Sequence, residues 1–327
     1  MQDSGFYITL HLKINASDTM TTTPVNTTEC EPAHFKIDKD IFDIIASRHS
    51  SRTFSGLALS SSVKEQLCYA ASGKLSPMLM PLFPDGTPHP SIRFIEMKGN
   101  STPPSTYGVI KGARLYAVMG IEDTMSRPQR VLAGAVFERF ILSATQLGLS
   151  TCWLGGTFGR SAFQSCFEAE HGQGTVVIVS PIGHEAPKKR FGEKVMRAFV
   201  HASSRKSFES LFQGIKAPEE FPPITHPMVD DNIMTAMSVM LEAMRRAPSA
   251  SNSQPWRAKV RRIDGISAEI CLSCPNPGGH FAPNDMGIAL CHLALSAEAL
   301  GLNIIPGTAD FKNLVFNLGI TCLYNEQ

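Results

Sequence analysis

The sequence predicts an α+β sandwich made by internal duplication, with two half-domains packed about a pseudo-twofold axis as a pseudo-dimer in one chain. Three observations predict it. Residues 142–149 read LSATQLGL and residues 295–302 read LSAEALGL, so six of eight positions match at an offset of 153 residues. The same offset pairs Gly134 with Gly287 and Phe158 with Phe311. Around each copy the patterning follows one order: helix, strand, strand, helix, strand. The chain of 327 residues, 43% of them hydrophobic, has enough apolar mass for a core shared by two such units.

The elements follow in chain order. Residues 1–34 hold a Thr-rich run with little periodicity and are expected to form a disordered tail. The first half, 35–200, opens with the helical spacing Ile41, Ile44, Ile45, then a helix near 62–72 and strands at 92–97 and 114–119. Its repeated helix carries Val136, Phe140, Ser143, Ala144 and Leu147 at helical spacing, and a strand at 175–182 closes the unit. Residues 201–227, with Ser203-Ser204-Arg205-Lys206-Ser207 followed by Pro218, Pro222, Pro223 and Pro227, read as a linker or crossing arm. The second half, 228–327, repeats the order: a helix near 232–246, strands at 256–263 and 266–272, the helix bearing Ala289, Leu293, Ser296, Ala297 and Leu300, and a strand at 314–323. Pro306-Gly307-Thr308-Ala309 stands where the first half has a Trp-Leu-Gly-Gly turn.

Composition narrows the function. Thirty Lys+Arg against 29 Asp+Glu leave a formal charge of +1, which argues against nucleic acid or an acidic membrane as the main partner. No stretch approaches the roughly 18 consecutive apolar residues of a membrane span. Asp3 and the interruption of the apolar run 6–12 by Thr9 and His11 do not fit a signal peptide, so a cytoplasmic location is expected. The eight cysteines show no disulfide rhythm and suit a reducing compartment. A monomer that is itself a pseudo-dimer, or a weak homodimer, is expected.

Four segments carry candidate chemistry. In Ser47-Arg48-His49-Ser50-Ser51-Arg52-Thr53-Phe54, two guanidiniums flank hydroxyls and backbone N–H groups, a pattern suited to a phosphate monoester, although a helix end of this composition is also an ordinary solvated surface. Arg246-Ala247-Pro248-Ser249-Ala250-Ser251-Asn252-Ser253-Gln254-Pro255-Trp256 makes a stiff loop able to lie against a flat ligand, with Asn252 and Gln254 offering donors and acceptors to an amide edge. Its simpler alternative is a helix-ending loop in which Pro248 stops the helix. Leu154-Gly155-Gly156, after Trp153, lets a backbone N–H approach a ring without a Cβ in the way, or is only a tight turn. Lys188-Lys189-Arg190 either completes an anion site or is a solvated charge run. Cys271-Leu272-Ser273-Cys274 has no second pair and no paired histidines, so no metal is expected. Cys291-His292 reads as core and the alternation Arg257, Lys259, Arg261 as a strand with one wet face.

Taken together, RHSSRTF, GARLYAVMG, LSATQLGLSTCWLGGTF, APSASNSQPWR and DMGIALCHLALSAEALGL resemble the nitroreductase family of FMN enzymes, and more closely its branch with two half-domains in one chain. The resemblance runs from about residue 41 to the end, and APSASNSQPW is its most specific element. It implies a nitroreductase-like sandwich binding FMN, with Arg48, His49, Ser50 and Arg52 near the phosphate and Lys189 and Arg190 closing that site. Pro248, Ser249, Ala250 and Asn252 would lie beside the flavin, with Leu154, Gly155 and Gly156 over the ring. NADH or NADPH would donate electrons that pass to a nitroaromatic, a quinone or a similar small acceptor. The flavin carries that chemistry, so no side-chain nucleophile or general acid is expected. In common members the arginine and asparagine segments share one short stretch, whereas here Arg48 and Ala247 are 199 positions apart. One complete FMN site per chain, with its pseudo-symmetric counterpart degenerate, is therefore expected. The alternative is a flavin-binding protein without NAD(P)H turnover, serving storage or sensing, or a degenerate homologue.

Overall fold

The computed structural model describes residues 40–97, 104–121, 125–171, 175–187, 204–223 and 233–322. The tail expected at 1–34 and the basic run at 188–190 lie outside them.

In the first half, α1 (Ile41–Ser47) is capped by Asp40, whose carboxylate accepts from the Phe42 N–H at 2.8 Å, and it buries Ile41, Phe42, Ile44 and Ile45. Next come α2 (Ser61–Ala71), β1 (Ser91–Glu96), β2 (Leu115–Ile121), α3 (Arg127–Gln146), β3 (Ser150–Thr151), α4 (Arg160–His171) and β4 (Thr175–Gly183). A capping box between Ser126 and Gln129 starts α3. The second half contains α5 (Phe208–Leu211), β5 (Phe212–Gln213), α6 (Ile233–Arg245), β6 (Arg257–Arg262), β7 (Ser267–Ser273), α7 (Ala282–Ala299), β8 (Leu302–Asp310) and β9 (Val315–Cys322). Both repeated Leu-Gly-Leu motifs end their helix in the same way. Gly148 at φ +74° and Gly301 at φ +65° take the left-handed conformation that closes a helix and that side chains resist.

The two sheets have one topology. The first runs β1-β2-β4-β3, and the second β5-β6-β7-β9-β8, so that β6, β7, β9 and β8 stand where β1, β2, β4 and β3 stand. All pairings are antiparallel except β5 beside β6. The segment read as a linker or crossing arm thus supplies α5 and an edge strand, with Phe212 opposite Ala258. Pro306-Gly307-Thr308-Ala309 differs from expectation: it lies inside β8, at a register shift between Pro306 and Ala309. The first half inserts α4 between β3 and β4, whereas the second joins β8 to β9 by the short turn at 311–314.

The two long helices cross at the centre. A Cβ on Gly134 would overlap the backbone of Asn284, and a Cβ on Gly287 would overlap the backbone of Val131 and Ala135. Adding 153 to 134 and 131 yields 287 and 284, so the pseudo-twofold exchanges these contacts as a true twofold does in a dimer. The two helices are buried on almost every face, α7 from Ala282 through Ala297, in one core that draws on both halves. Strand periodicity then sorts each sheet. Leu115, Ala117 and Met119 of β2 face this core, while Tyr116 and Val118 face a second cluster with Phe163 and Phe167 of α4. Among the described residues the second sheet has no such cover: Ala258 and Val260 turn inward, and Lys259 and Arg261 point to solvent.

Candidate active site

Arg48 caps the C-terminus of α1, its N–H donating to Ile44 O at 2.9 Å. The chain then runs extended beside β3, with Ser51 N–H on Thr151 O at 2.9 Å and a bridge from Ser50 to Thr151. This path gathers Arg48, Ser50 and Arg52 around the Cys152 thiol. Burial pushes that thiol up from its ordinary value, against the pull of Arg52 and Arg48 and of hydrogen bonds from Ser50 and Arg52. Arg48 is 9% exposed, and its Nε and the Ser51 hydroxyl are buried without a hydrogen-bond partner. Such donors are costly unless something accepts from them. His49 does not join this group: its ring contacts Ser47 O and, at 3.0 Å, the Glu185 carboxylate, both at the surface.

The asparagine loop follows α6. Glu242 accepts from Arg245 at 2.6 and 2.7 Å and from Arg246 at 2.9 Å. Ser251, Asn252 and Gln254 have φ of 51°, 54° and 46°, three non-glycine residues in the left-handed region within four positions. Strain of roughly 1–3 kcal/mol at each such residue persists only where neighbours enforce it, and it concentrates at ligand sites. The enforcement is visible. Ser249 Oγ accepts from Gln254 N–H at 2.9 Å, Gln254 Nε2 donates to Asn252 O at 2.9 Å, and Ala250 N–H donates to Asp285 Oδ1 at 3.0 Å. Pro248 is buried beneath the loop. The arm completes it: Lys206 N–H donates to Gln254 Oε1 at 2.8 Å, and Asn252 Nδ2 donates to Ser204 O at 2.7 Å. Arg205 donates to Asn252 Oδ1 at 3.0 Å and to Arg246 O at 3.1 Å. The Asn252 amide is thus engaged by the arm at both ends.

Arg205 is a site residue that the sequence reading assigned only to the arm. Burial, and then the fields of Arg48, Arg245 and Arg246, push its guanidinium down to about 10. A signal for it existed: Ser204-Arg205-Lys206-Ser207 repeats Ser47-Arg48-His49-Ser50 at three of four positions. Through it the arginine segment of the first half and the asparagine loop of the second come within electrostatic reach of each other.

The Trp-Leu-Gly-Gly turn closes the third side. Leu154 exchanges backbone hydrogen bonds with Val179 at 2.8 and 3.1 Å and buries its side chain. Trp153 Nε1 donates to Glu138 Oε2 at 2.7 Å, and Glu138 Oε1 lies 2.9 Å from Nε2 of His292. Nδ1 of His292 lies 2.9 Å from Ala243 O, a carbonyl that only accepts, so this nitrogen carries a proton. His292 is therefore a structural hydrogen-bond partner of Glu138, and neighbouring Cys291 is buried in the core beside it. A Cβ on Gly155 would meet the Phe281 ring at 2.6 Å, which brings the turn of the first half against the second. Phe281 also lines a cavity of about 370 Å³ with Ala250, Ser253, Lys206, Arg257 and Asp285. Gly156 lies beside this contact, its nearest Phe281 atom 3.9 Å from where a Cβ would stand.

Asp285 is the other site residue missed. It is 4% exposed, and burial raises its carboxyl to about 7 against the lowering effect of hydrogen bonds from Ala250 and Ser253. A carboxyl raised in the folded state contributes stability below its unfolded value of 3.8 and loses it as the pH passes through 7. Between those values the protein is expected to lose up to about 1.4 kcal/mol per pH unit through this group. Urea denaturation of wild type and Asp285→Asn from pH 4 to 8 checks this, the variant being expected to lack that slope.

A family model described as "Putative TM nitroreductase" matches residues 40–297. The chain belongs to this nitroreductase family. Its fold is similar to that of a solved "putative nitroreductase" from Thermotoga maritima MSB8, at 19% identity and a TM-score of 0.50, over 91% of this chain and 99% of that one. A "putative nitroreductase" from Desulfovibrio desulfuricans in complex with FMN matches at 16% identity and a TM-score of 0.34, over 49% of this chain and 95% of that one. One from Desulfitobacterium hafniense DCB-2 with bound FMN matches at 22% identity and a TM-score of 0.33, over 47% of this chain and 95% of that one. Among the curated proteins none matches. In this nitroreductase no helix among the described residues is long and apolar enough to cross a membrane.

Proposed function

We propose that the protein is an FMN-dependent oxidoreductase that passes electrons from NADH or NADPH to a nitroaromatic, a quinone or a similar small acceptor. One observation carries the reading: Arg48, Arg205, Arg245 and Arg246 share one field, and Glu242 is the carboxylate paired with two of them. A surplus of buried guanidinium beside an unpartnered Arg48 Nε fits a phosphate monoester. Arg48, with its unpartnered Nε, and Ser51 fit the phosphate end of FMN, and the strained, braced loop at 249–254 suits the edge of a flat ring. In this reading Arg48, Ser50 and Arg52 hold the phosphate, while His49 faces Glu185 instead; Lys189 and Arg190, expected at the same phosphate, lie outside the described residues. Pro248, Ser249, Ala250 and Asn252 form the wall beside the ring, and Leu154, Gly155 and Gly156 form the opposite wall. Bound flavin would supply hydride acceptance and donation, while the protein supplies binding, orientation and exclusion of water.

One site per chain follows from the asymmetry of the halves. At the repeat offset, Cys291 stands for Glu138 and Pro306 for Trp153, so the second half lacks the network behind the turn. Arg48→Ala is expected to weaken FMN binding roughly 10- to 100-fold, equivalent to about 1.5–3 kcal/mol for a hydrogen bond to a charged group. Fluorescence titration of the apoprotein checks it, and unchanged affinity in both Arg48→Ala and Arg52→Ala would remove the phosphate assignment. Bleaching of a flavin absorption band by NADPH, at about one flavin per chain, tests redox competence and stoichiometry together.

A further inference from the structure

We propose that Asp285 is the proton donor to the electron acceptor, which binds in the cavity lined by Phe281, Lys206 and Arg257; this rests on the oxidoreductase reading above. The carboxyl forms the inner wall of a space of about 370 Å³, large enough for a one-ring quinone or nitroaromatic. Its oxygens meet only Ala250 N–H at 3.0 Å and Ser253 Oγ at 3.5 Å, and among the described residues it forms no ion pair. Charged and titratable neighbours surround it: Lys206 from the arm, Arg257 from β6, Arg127 and Arg130 from α3, His280 before α7, and Cys274 after β7. None of the cations is close enough to hold it ionised. Desolvation raises the carboxyl to about 7, so it carries a proton for much of the time at neutral pH.

The chemistry needs such a group. Two-electron reduction of a quinone consumes one hydride, which reduced flavin supplies, and one proton. As hydride arrives at one oxygen of the quinone, the other forms its O–H bond while the Asp285 O–H bond breaks. The product is the hydroquinone, and Asp285 is left as a carboxylate that regains its proton from solvent at the cavity mouth. Nitro reduction has the same balance, with water leaving as the nitroso compound forms.

Asp285→Asn keeps an oxygen to accept from Ala250 N–H and removes only the proton, so it separates proton transfer from support of the loop. Three measurements decide the matter. Infrared titration of the apoprotein is expected to show a carboxyl C=O band that disappears near pH 7 and is missing from Asp285→Asn. In single-turnover reoxidation of photoreduced holoprotein by benzoquinone, the wild-type rate is expected to fall about tenfold per pH unit above that point, whereas Asp285→Asn is at least tenfold slower and flat with pH. Ferricyanide, which takes an electron without a proton, is expected to reoxidise both at one rate. The proposal is overturned by a carboxyl that titrates near its ordinary value, by equal quinone rates in the two proteins, or by equal loss with both oxidants. A chain that takes up no FMN overturns the oxidoreductase reading and this proposal with it, and the infrared band separates that failure from the others.

Discussion

Gly287→Leu is expected to abolish the folded protein. The ordinary cost of inserting methylenes into a packed core is about 1–3 kcal/mol, because side chains at the contact shift to other rotamers. Here nothing can shift in that way, since the atoms a Cβ would overlap are backbone atoms of Val131 and Ala135 on the facing helix. The two central helices would have to separate, and the core they share would open along both. A cost beyond about 5 kcal/mol is comparable with the whole stability of a typical domain. The pseudo-twofold makes a companion prediction: Gly134→Leu is expected to fail equally, because its overlap with Asn284 is the exchanged copy of the same contact. Gly278→Ala serves as the control, since a Cβ there meets only Asn276 Oδ1 at 3.8 Å. Circular dichroism and urea denaturation of the three variants check this. A folded Gly287→Leu protein of near wild-type stability would mean that the helices do not cross at these glycines.

His292→Leu is expected to cost at least about 1–3 kcal/mol, the penalty of leaving buried hydrogen-bonding groups without a partner. Glu138 and His292 both have no exposed side-chain surface. Without the imidazole, the Glu138 carboxyl keeps the Trp153 indole N–H at 2.7 Å and loses its other partner, and Ala243 O loses its donor. Replacing both members by leucine is expected to cost less than the sum of the two single replacements, since each single variant leaves the other member unsatisfied. Denaturant midpoints across the four proteins of this cycle measure the coupling. Near-ultraviolet circular dichroism of Trp153 reports whether the glycine turn moves, which ties this core pair to the wall of the candidate site. Additive effects would show that the two side chains do not act as a pair.

Local pattern carried much of this structure. The helix expected near 62–72 is α2, Ser61–Ala71, and the one near 232–246 is α6, Ile233–Arg245. The strands expected at 256–263 and 266–272 are β6, Arg257–Arg262, and β7, Ser267–Ser273. Hydrophobic period and breaker residues specify such elements within a dozen positions, and the offset of 153 held for the helix crossing itself. Pro306-Gly307-Thr308-Ala309 stands at the position of the first half's turn, while pairing of β8 with β9 makes the segment a bulged strand, a pairing that no local pattern reveals.

The sequence by itself determined the duplication, the order of the elements, the two segments richest in candidate ligands and the resemblance to a nitroreductase. Those properties are written in neighbouring residues or in the repeat. Tertiary structure alone decided that Arg205 braces Asn252 beside Arg48, that Glu138 faces His292 behind the turn, and that Asp285 is buried. The physical reason is that charge pairing and desolvation depend on which groups the fold brings together and how much solvent it removes. Arg205 and Asn252 are 47 positions apart and Glu138 and His292 are 154 apart, distances over which no local pattern constrains a pairing.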